Sequence, residues 1–267
     1  MPTIAANGSR IYYESLGDGE PLLLVAGFAC DHTYWSLAVP ALSRRFRVIA
    51  IDIRGTGQST NADDTLSAEL LAADAAALLK ALGIESAHVA GHSLGGMIAQ
   101  ELALAHPERV RSLTLISSCA QVDNRGRAII ELWGELPRLT DPRTMARLIA
   151  PWMYTNRLFA LPGAVEKLID DMLAAPHPPT LEGILHQSRA ISRFDAVNRL
   201  SQIAAPTHVM VGRDDILLPV GLSEQLARGI PGATLTVIDD VGHGLLIEAP
   251  DRTAAAMIEF LDSPVRR

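Results

Sequence analysis

The stretch from Ser86 to Ala99, SAHVAGHSLGGMIA, most constrains how this chain can fold. A short apolar segment with β character leads into Gly-His-Ser-Leu-Gly, and a run with helical composition then extends to Pro107. A Gly-x-Ser-x-Gly pattern is informative in this setting, because a strand, a sharp turn and a helix together place the serine at the tip of the turn. The sequence therefore predicts a strand-turn-helix unit that presents Ser93.

The residues around Ser93 fit the backbone that such a turn requires. A serine at the tip of a strand-to-helix turn sits in a strained backbone conformation, and its neighbours must be small for the strand and helix to approach each other. Gly91 and Gly95 meet that need, and the N-terminus of the new helix directs its free N–H groups towards the serine. The alternative interpretation is a glycine-rich turn with an incidental serine. The flanking strand and helix favour a reactive serine.

Apolar segments and helical stretches alternate on both sides of this unit. The run from Pro21 to Ala26, PLLLVA, is apolar without a break, as is typical of a strand covered on both faces. A leucine stripe from Leu66 to Leu82 has helical spacing. The predicted strands are 10–14, 21–26, 46–52, 87–90, 110–117, 207–212 and 234–239, and the predicted helices are 34–42, 66–82, 94–106, 219–228 and 250–261. This order predicts an α/β fold with a mainly parallel central sheet and helices on both faces.

The pattern changes between residues 121 and 199, where no strand is evident. Four or so helices are predicted there, broken by Pro137, Pro142, Pro151 and later prolines, and two of the three tryptophans fall in this segment. We therefore predict a core made of residues 1–120 and 200–267, and a helical cap or lid made of residues 121–199.

Composition excludes several functional classes. The net charge of −7 and the absence of a Lys/Arg cluster argue against a nucleic-acid partner. No apolar run is long enough to span a bilayer and the N-terminus lacks the pattern of a signal peptide, so we predict a cytoplasmic protein without a membrane partner. Cys30 and Cys119 lack metal-type spacing, and free thiols are predicted for both.

A nucleophilic serine needs a base to take its proton and an acid to orient that base. In this architecture the acid and then the histidine are expected after Ser93, at the ends of later strands. The strand predicted at 207–212 is followed by the adjacent acids Asp214 and Asp215, and the last predicted strand is followed by His243. The residues alone leave open which of the two acids faces the histidine.

His243 is chosen from eight histidines by its position. It lies between Gly242 and Gly244 in a loop after a late strand, where it can reach Ser93. The others precede or neighbour Ser93, lie in the predicted lid, or begin a strand: His32, His88, His92, His106, His177, His186 and His208. A nucleophilic role for either cysteine remains a remote alternative, because neither has a base at a predictable spacing.

Together these features resemble the α/β-hydrolase family over essentially the whole chain. Three further motifs match patterns of that family: G-x-x-D-x-x-x-P at Gly212, Asp215 and Pro219, D-x-R-G-x-G-x-S at Asp52, Arg54, Gly55, Gly57 and Ser59, and G-H-x-x-x-x-E-x-P at Gly242, His243, Glu248 and Pro250. The resemblance selects Asp215 over Asp214 as the acid. It implies catalytic roles for Ser93, Asp215 and His243.

The same resemblance implies an oxyanion hole made of two backbone N–H groups, those of Leu94 and Phe28. Many members begin the loop after the corresponding strand with His-Gly, whereas this chain has Ala26-Gly27. Because the donors are backbone atoms, this departure leaves the chemistry possible and changes the expected hydrogen bonds within the loop.

These observations lead us to expect a serine hydrolase that cleaves a carboxylic ester or lactone. The likeness is greatest to the small cytoplasmic branch that includes 3-oxoadipate enol-lactonases, the pyrimidine-degradation hydrolase and related esterases. An apolar substrate pocket is expected from Phe28, Trp133, Trp152 and Leu217, without a metal or organic cofactor.

The alternatives keep the same three catalytic residues but change the bond that is cleaved. They are a C–C bond hydrolase, an amidase and a cofactor-free perhydrolase, with a ligand receptor on a hydrolase scaffold as a remote possibility. The expected partner is a small-molecule substrate, and the chain is expected to be a monomer or a homodimer.

Overall fold

A computed structural model describes residues 2–60, 63 and 65–263. Met1 and residues 264–267, at the two ends of the predicted core, lie outside the described residues. Within the described part, one sheet has eight strands in the order β1-β2-β4-β3-β5-β6-β7-β8. The strands are β1 (Thr3–Ala6), β2 (Ser9–Leu16), β3 (Glu20–Val25), β4 (Phe46–Ile51), β5 (Ala87–His92), β6 (Val110–Ile116), β7 (Thr207–Gly212) and β8 (Thr234–Ile238).

The sheet is parallel from β4 to β8, and β2 pairs antiparallel with both β1 and β4. Strands β5 and β7 are buried along their whole length, as is typical of parallel strands covered on both faces. The register pairs Val25 of β3 with Gly91 of β5, so the carboxyl ends of these central strands meet at one edge. The predicted α/β fold with a mainly parallel sheet is confirmed.

Helices cover both faces of the sheet. They are α1 (Val39–Leu42), α2 (Ala68–Ala81), α3 (Leu94–Ala105), α4 (Asn124–Leu139), α5 (Pro142–Met153), α6 (Asn156–Phe159), α7 (Ala164–Leu173), α8 (Leu181–Arg193), α9 (Val220–Gly229), α10 (Leu245–Glu248) and α11 (Pro250–Asp262). One apolar cluster joins α2, α3 and α9 to one face, with Leu78 and Leu102 fully buried. A second cluster joins α1 and α11 to the other face through Leu42 and Met257.

Helices α4 to α8 all lie between β6 and β7. Helices α4 and α8 pack so closely that a Cβ on Gly134 would come within 2.5 Å of Ser188 Oγ. Pro137 and Pro151 were expected to end helices, but they lie inside α4 and α5. Each is in the last turn, where few residues remain to be disrupted by the missing N–H. Helices α4 to α8 are called the helical insertion below.

The helix predicted at residues 34–42 is shorter than expected. It is divided into a 3₁₀ turn at His32–Trp35 and the single-turn α1, because Pro40 cannot donate a hydrogen bond back across the junction. Two elements without a sequence prediction are the edge strand β1 and the short α10. None of the helices in the described ranges combines the length and apolar composition that crossing a membrane requires.

Candidate active site

Ser93 occupies a sharp turn between the last residue of β5 and the first residue of α3. Its backbone has φ 54° and ψ −115°, a conformation that a non-glycine residue adopts only when its surroundings hold it there. The Ser93 N–H donates to Ile116 O at 2.9 Å, and the Ser93 carbonyl accepts from Ser118 Oγ at 2.9 Å. The strained turn is therefore held by the end of β6 and the loop after it.

The glycines beside Ser93 are required by close backbone contacts. A Cβ on Gly91 would lie 2.1 Å from Gly95 O, and one on Gly95 would lie 2.1 Å from Val25 O. A Cβ on Gly96 would lie 2.5 Å from the Ser118 side chain. These distances are too short for any real side chain, so only glycine allows the strand and helix to approach this closely.

Asp215 and His243 form a buried hydrogen bond at the carboxyl edge of the sheet. Asp215 follows β7 and His243 follows β8, and the His243 Nδ1 to Asp215 Oδ2 distance is 2.8 Å. The other oxygen, Asp215 Oδ1, accepts from the N–H groups of Leu217 and Leu218 at 3.0 and 2.8 Å. Asp214 is exposed. A carboxylate only accepts, so His243 Nδ1 carries a hydrogen and donates it to Asp215.

His92, directly before Ser93, connects this turn to the loop that carries His243. Its Nε2 lies 2.9 Å from the His243 carbonyl oxygen, so Nε2 carries a hydrogen and donates. Burial, with the neighbouring His243, lowers the pKa of His92 to about 3, and the ring is therefore neutral at pH 7. The His92 and His243 ring centroids are 4.9 Å apart, which brings the His243 loop to the Ser93 turn.

Glu248 ties the His243 loop to the helical insertion. One carboxylate oxygen accepts from the Gly242 N–H at 2.8 Å, and the other accepts from the Thr155 N–H at 2.9 Å and from the Thr155 hydroxyl. Nearby, the Gly244 N–H donates to Met153 O at 2.9 Å. The sequence motif pointed to Glu248, but no local pattern marked Thr155 or Met153 as its partners.

The loop after β3 lies against the Ser93 turn. A Cβ on Gly27 would be 3.2 Å from Ser93 Cβ, and the Cys30 N–H donates to Gly27 O at 3.2 Å across the loop. The loop therefore forms this internal hydrogen bond although it begins with Ala26-Gly27 and not with His-Gly. Within the part of the chain that the structure describes, the N–H groups of Phe28 and Leu94 donate to no carbonyl or side chain. Neither N–H is therefore engaged by another group of the described chain.

The four predicted pocket residues belong to one apolar cluster. Phe28 and Trp133 stack directly, with ring centroids 6.2 Å apart and planes 29° from parallel. Trp152 is partly buried and immediately precedes Met153, whose carbonyl holds the His243 loop. Leu217 is buried and donates its N–H to Asp215. Each of the four residues is therefore part of, or next to, a segment that contacts the candidate site.

A possible metal-binding cluster and the two cysteines are the other candidate reactive groups. Asp31, His32 and Asp52 lie close enough together to hold a metal ion. The Asp52 carboxylate, however, already accepts hydrogen bonds from the His32 backbone and ring and from the Gln58 N–H. Burial opposes protonation of His32, yet the hydrogen bond to Asp52 gives it a raised pKa. Burial raises the pKa of Cys30 and of Cys119 to about 12, so neither is a thiolate at neutral pH.

Comparison with known proteins places this geometry among hydrolases. A sequence profile described as the alpha/beta hydrolase fold matches residues 20–250. A protein of Azorhizobium caulinodans that has been given the name carbamate hydrolase RutD is 36% identical over 251 residues, covering 94% of each chain.

Two solved structures share nearly the whole length of the chain. An esterase of Thermogutta terrifontis is 31% identical, with a TM-score of 0.85 over 97% of this chain and 96% of the other. An enol-lactonase of Burkholderia xenovorans is 25% identical, with a TM-score of 0.87 over 97% and 99%. The chain is therefore similar to an esterase and to an enol-lactonase over nearly its whole length.

Proposed function

Because this chain belongs to the α/β-hydrolase fold family, we propose that it hydrolyses carboxylic esters or lactones through a covalent intermediate on Ser93. The observation that carries the proposal is the buried hydrogen bond between Asp215 and His243, on a loop bonded to the residue before Ser93. Asp215 orients the ring of His243 and stabilises its charged form. With its hydrogen on Nδ1, the neutral ring of His243 has the Nε2 lone pair that a base requires.

In the proposed reaction, the Ser93 hydroxyl attacks the carbonyl carbon while His243 Nε2 takes its proton. The tetrahedral intermediate collapses, the bond to the alkoxy oxygen breaks, and His243 returns the proton to that oxygen. A water molecule then attacks the acyl-enzyme and gives its proton to His243. The acid leaves, and the proton returns to Ser93.

The negative charge on the tetrahedral intermediate would be stabilised by the N–H groups of Phe28 and Leu94. Both belong to backbone segments that touch the Ser93 turn, and the Leu94 N–H also lies at the N-terminus of α3. Removing one such donor costs about 3 kcal/mol of transition-state stabilisation in enzymes of this kind. The rigid backbone around Ser93 supports this role, because the donors need no reorganisation during the reaction.

The apolar side chains near the site favour a largely apolar acyl group. Phe28 and Trp133 form a stacked aromatic surface next to the proposed oxyanion loop. Trp152 and Leu217 extend the same apolar cluster. We propose these four side chains as the pocket for a small or medium-sized ester or lactone.

A carbamate is a second candidate substrate, favoured by the relative that is named a carbamate hydrolase. The same three residues could attack a carbamate carbonyl. Its nitrogen donates electron density to the carbonyl carbon, so with the same leaving group a carbamate reacts more slowly unless the enzyme recognises the nitrogen. The ratio of kcat/KM for matched esters and carbamates therefore separates the two candidates.

Turnover of p-nitrophenyl esters of increasing acyl length, and of a matched p-nitrophenyl carbamate, tests the proposal. Ser93→Ala should lower kcat by about 10⁴-fold or more. Ser201→Ala serves as the control, because Ser201 is an exposed serine distant from Ser93 in the sequence. A serine-directed phosphonate should add one phosphonyl group to the wild-type protein and none to Ser93→Ala.

Wild-type turnover in Ser93→Ala would overturn the serine mechanism. Ligand binding without any turnover or phosphonate adduct would instead favour a receptor on this scaffold. Faster turnover of the carbamate than of the ester would favour the second candidate.

A further inference from the structure

Gln187 is a fully buried polar residue of α8, and within the described ranges its side chain bonds to two loops outside the helical insertion. Its Oε1 accepts from the Ala29 N–H at 2.9 Å, and its Nε2 donates to Arg54 O at 2.9 Å. Both ends of the amide are therefore used. A buried amide with both bonds made is placed with high directional precision.

The backbone at Ala29 requires such a partner. The Cys30 N–H donates to Gly27 O, which closes a four-residue turn with Phe28 and Ala29 at its centre. Ala29 has φ 57° and Phe28 does not have a positive φ, as in a type II turn, whose third position normally takes glycine. With alanine at that position, rotation of the Phe28–Ala29 peptide would relieve the strain. The bond from the Ala29 N–H to Gln187 opposes that rotation.

This turn carries one of the proposed oxyanion donors. The Gly27 carbonyl and the Phe28 N–H belong to one peptide group, so the turn that fixes the first also aims the second. Gly27 lies against Ser93 Cβ, which puts this peptide beside the nucleophile. The Phe28 ring stacks on Trp133 of α4, and α4 packs on α8, so the insertion holds the turn by a side chain as well.

We propose that Gln187 is a positioning residue for the oxyanion hole, holding the 27–30 turn in the conformation that aims the Phe28 N–H at the substrate oxygen. This inference rests on the proposed serine hydrolase function. It assigns the helical insertion a part in the chemical step. Gln187 acts through its hydrogen bond to the loop, and the proposal gives it no role at the reacting atoms.

The first test replaces Gln187 with methionine, which keeps the length and removes both hydrogen bonds. Since misplacing a catalytic group by about 1 Å can cost about 100-fold in rate, we expect kcat to fall by about 10- to 100-fold with KM within about threefold. Affinity for a tetrahedral analogue such as a trifluoromethyl ketone should weaken by the same factor as kcat. Ser188→Ala is the matched control, because Ser188 is also buried on α8 but bonds to Ile130 O within the insertion.

Two further variants, one with a second-site change and one with a different residue at position 187, keep the proposal falsifiable if Gln187→Met folds poorly. Adding Ala29→Gly to Gln187→Met should restore kcat by about fivefold or more, because glycine adopts the positive φ without strain. Gln187→Glu keeps an acceptor for the Ala29 N–H and regains a donor to Arg54 O only when protonated. Its kcat relative to wild type should therefore rise as the pH is lowered from 8 to 6.

The proposal is wrong if folded Gln187→Met keeps wild-type kcat, if Ser188→Ala loses as much, or if neither Ala29→Gly nor low pH rescues the variants. These results are distinguishable from failure of the proposed function. Wild-type turnover in Ser93→Ala would refute the serine mechanism whatever Gln187 does. An inactive Ser93→Ala together with an unaffected Gln187→Met would refute the positioning role alone.

Discussion

The Nε2 atom of His92 lies 2.9 Å from the carbonyl oxygen of His243, joining residues that are 151 positions apart in the chain. His92 directly precedes Ser93, so this hydrogen bond connects the two loops that carry the proposed nucleophile and the proposed base. Burial keeps the His92 imidazole neutral at pH 7. The cost of protonating this buried ring can be measured through the pH dependence of stability.

Replacing His92 with glutamine should reduce the decrease in the free energy of unfolding at acid pH. The folded-state pKa of His92 is lowered to about 3 from 6.5, so the unfolded chain binds the extra proton between these values. The stabilising effect is complete above pH 6.5 and is lost as the pH falls towards 3. The wild type should lose up to about 1.4 kcal/mol per pH unit through this group, and His92→Gln should not.

Urea unfolding of both proteins between pH 8 and pH 4 measures this difference. Above pH 6.5 the two curves should differ only by a constant offset, because His92 is neutral in both states there. Parallel curves through the acid range would contradict the assignment of this buried imidazole.

Replacing Asp215 with asparagine should lower kcat without preventing substrate binding. The asparagine oxygen would be retained by the Leu217 and Leu218 N–H groups, leaving its NH₂ against His243 Nδ1. The histidine would then carry its hydrogen on Nε2 and could not accept the Ser93 proton. We expect a fall of about 10⁴-fold in kcat. Steady-state kinetics with a p-nitrophenyl ester gives the value, and Asp214→Asn, at the exposed neighbouring acid, is the matched control.

Replacing Glu248 with glutamine should destabilise the His243 loop. Both carboxylate oxygens accept from N–H groups, and an amide would put its own NH₂ against one of these donors. Leaving a buried donor unsatisfied costs about 2 kcal/mol, and displacement of the loop should lower kcat by about tenfold. Thermal unfolding and kinetics of Glu248→Gln, compared with the exposed Glu259→Gln, measure both effects. Equal behaviour of the two variants would show that the hydrogen bonds of Glu248 to Gly242 and Thr155 have no energetic role.

Replacing Gly95 with alanine should disrupt the Ser93 turn. The new methyl would lie 2.1 Å from Val25 O and 2.7 Å from Ala26 O, and backbone atoms at the end of a central strand cannot move away cheaply. We expect a loss of about 3 kcal/mol or more in the free energy of unfolding. Gly221→Ala is the control, because nothing lies within 4 Å of its new Cβ. That variant should be up to about 1 kcal/mol more stable, since alanine favours the helix.

The local features of this protein were determined by the sequence alone. Apolar runs of strand length, leucines at helical spacing and glycines on either side of Ser93 predict the α/β order and the sharp turn. Each depends on residues close together in the chain. A strand covered on both faces or a backbone that excludes Cβ leaves its mark within a few positions.

The contacts that complete the candidate site were decided only by the tertiary structure. Gln187 reaches Ala29 across 158 positions, and Glu248 reaches Thr155 across 93. A buried N–H can be satisfied by many polar side chains, so nothing in the sequence near Ala29 or Thr155 identifies the partner. Only the packing of the helical insertion on the sheet brings these groups within hydrogen-bond distance.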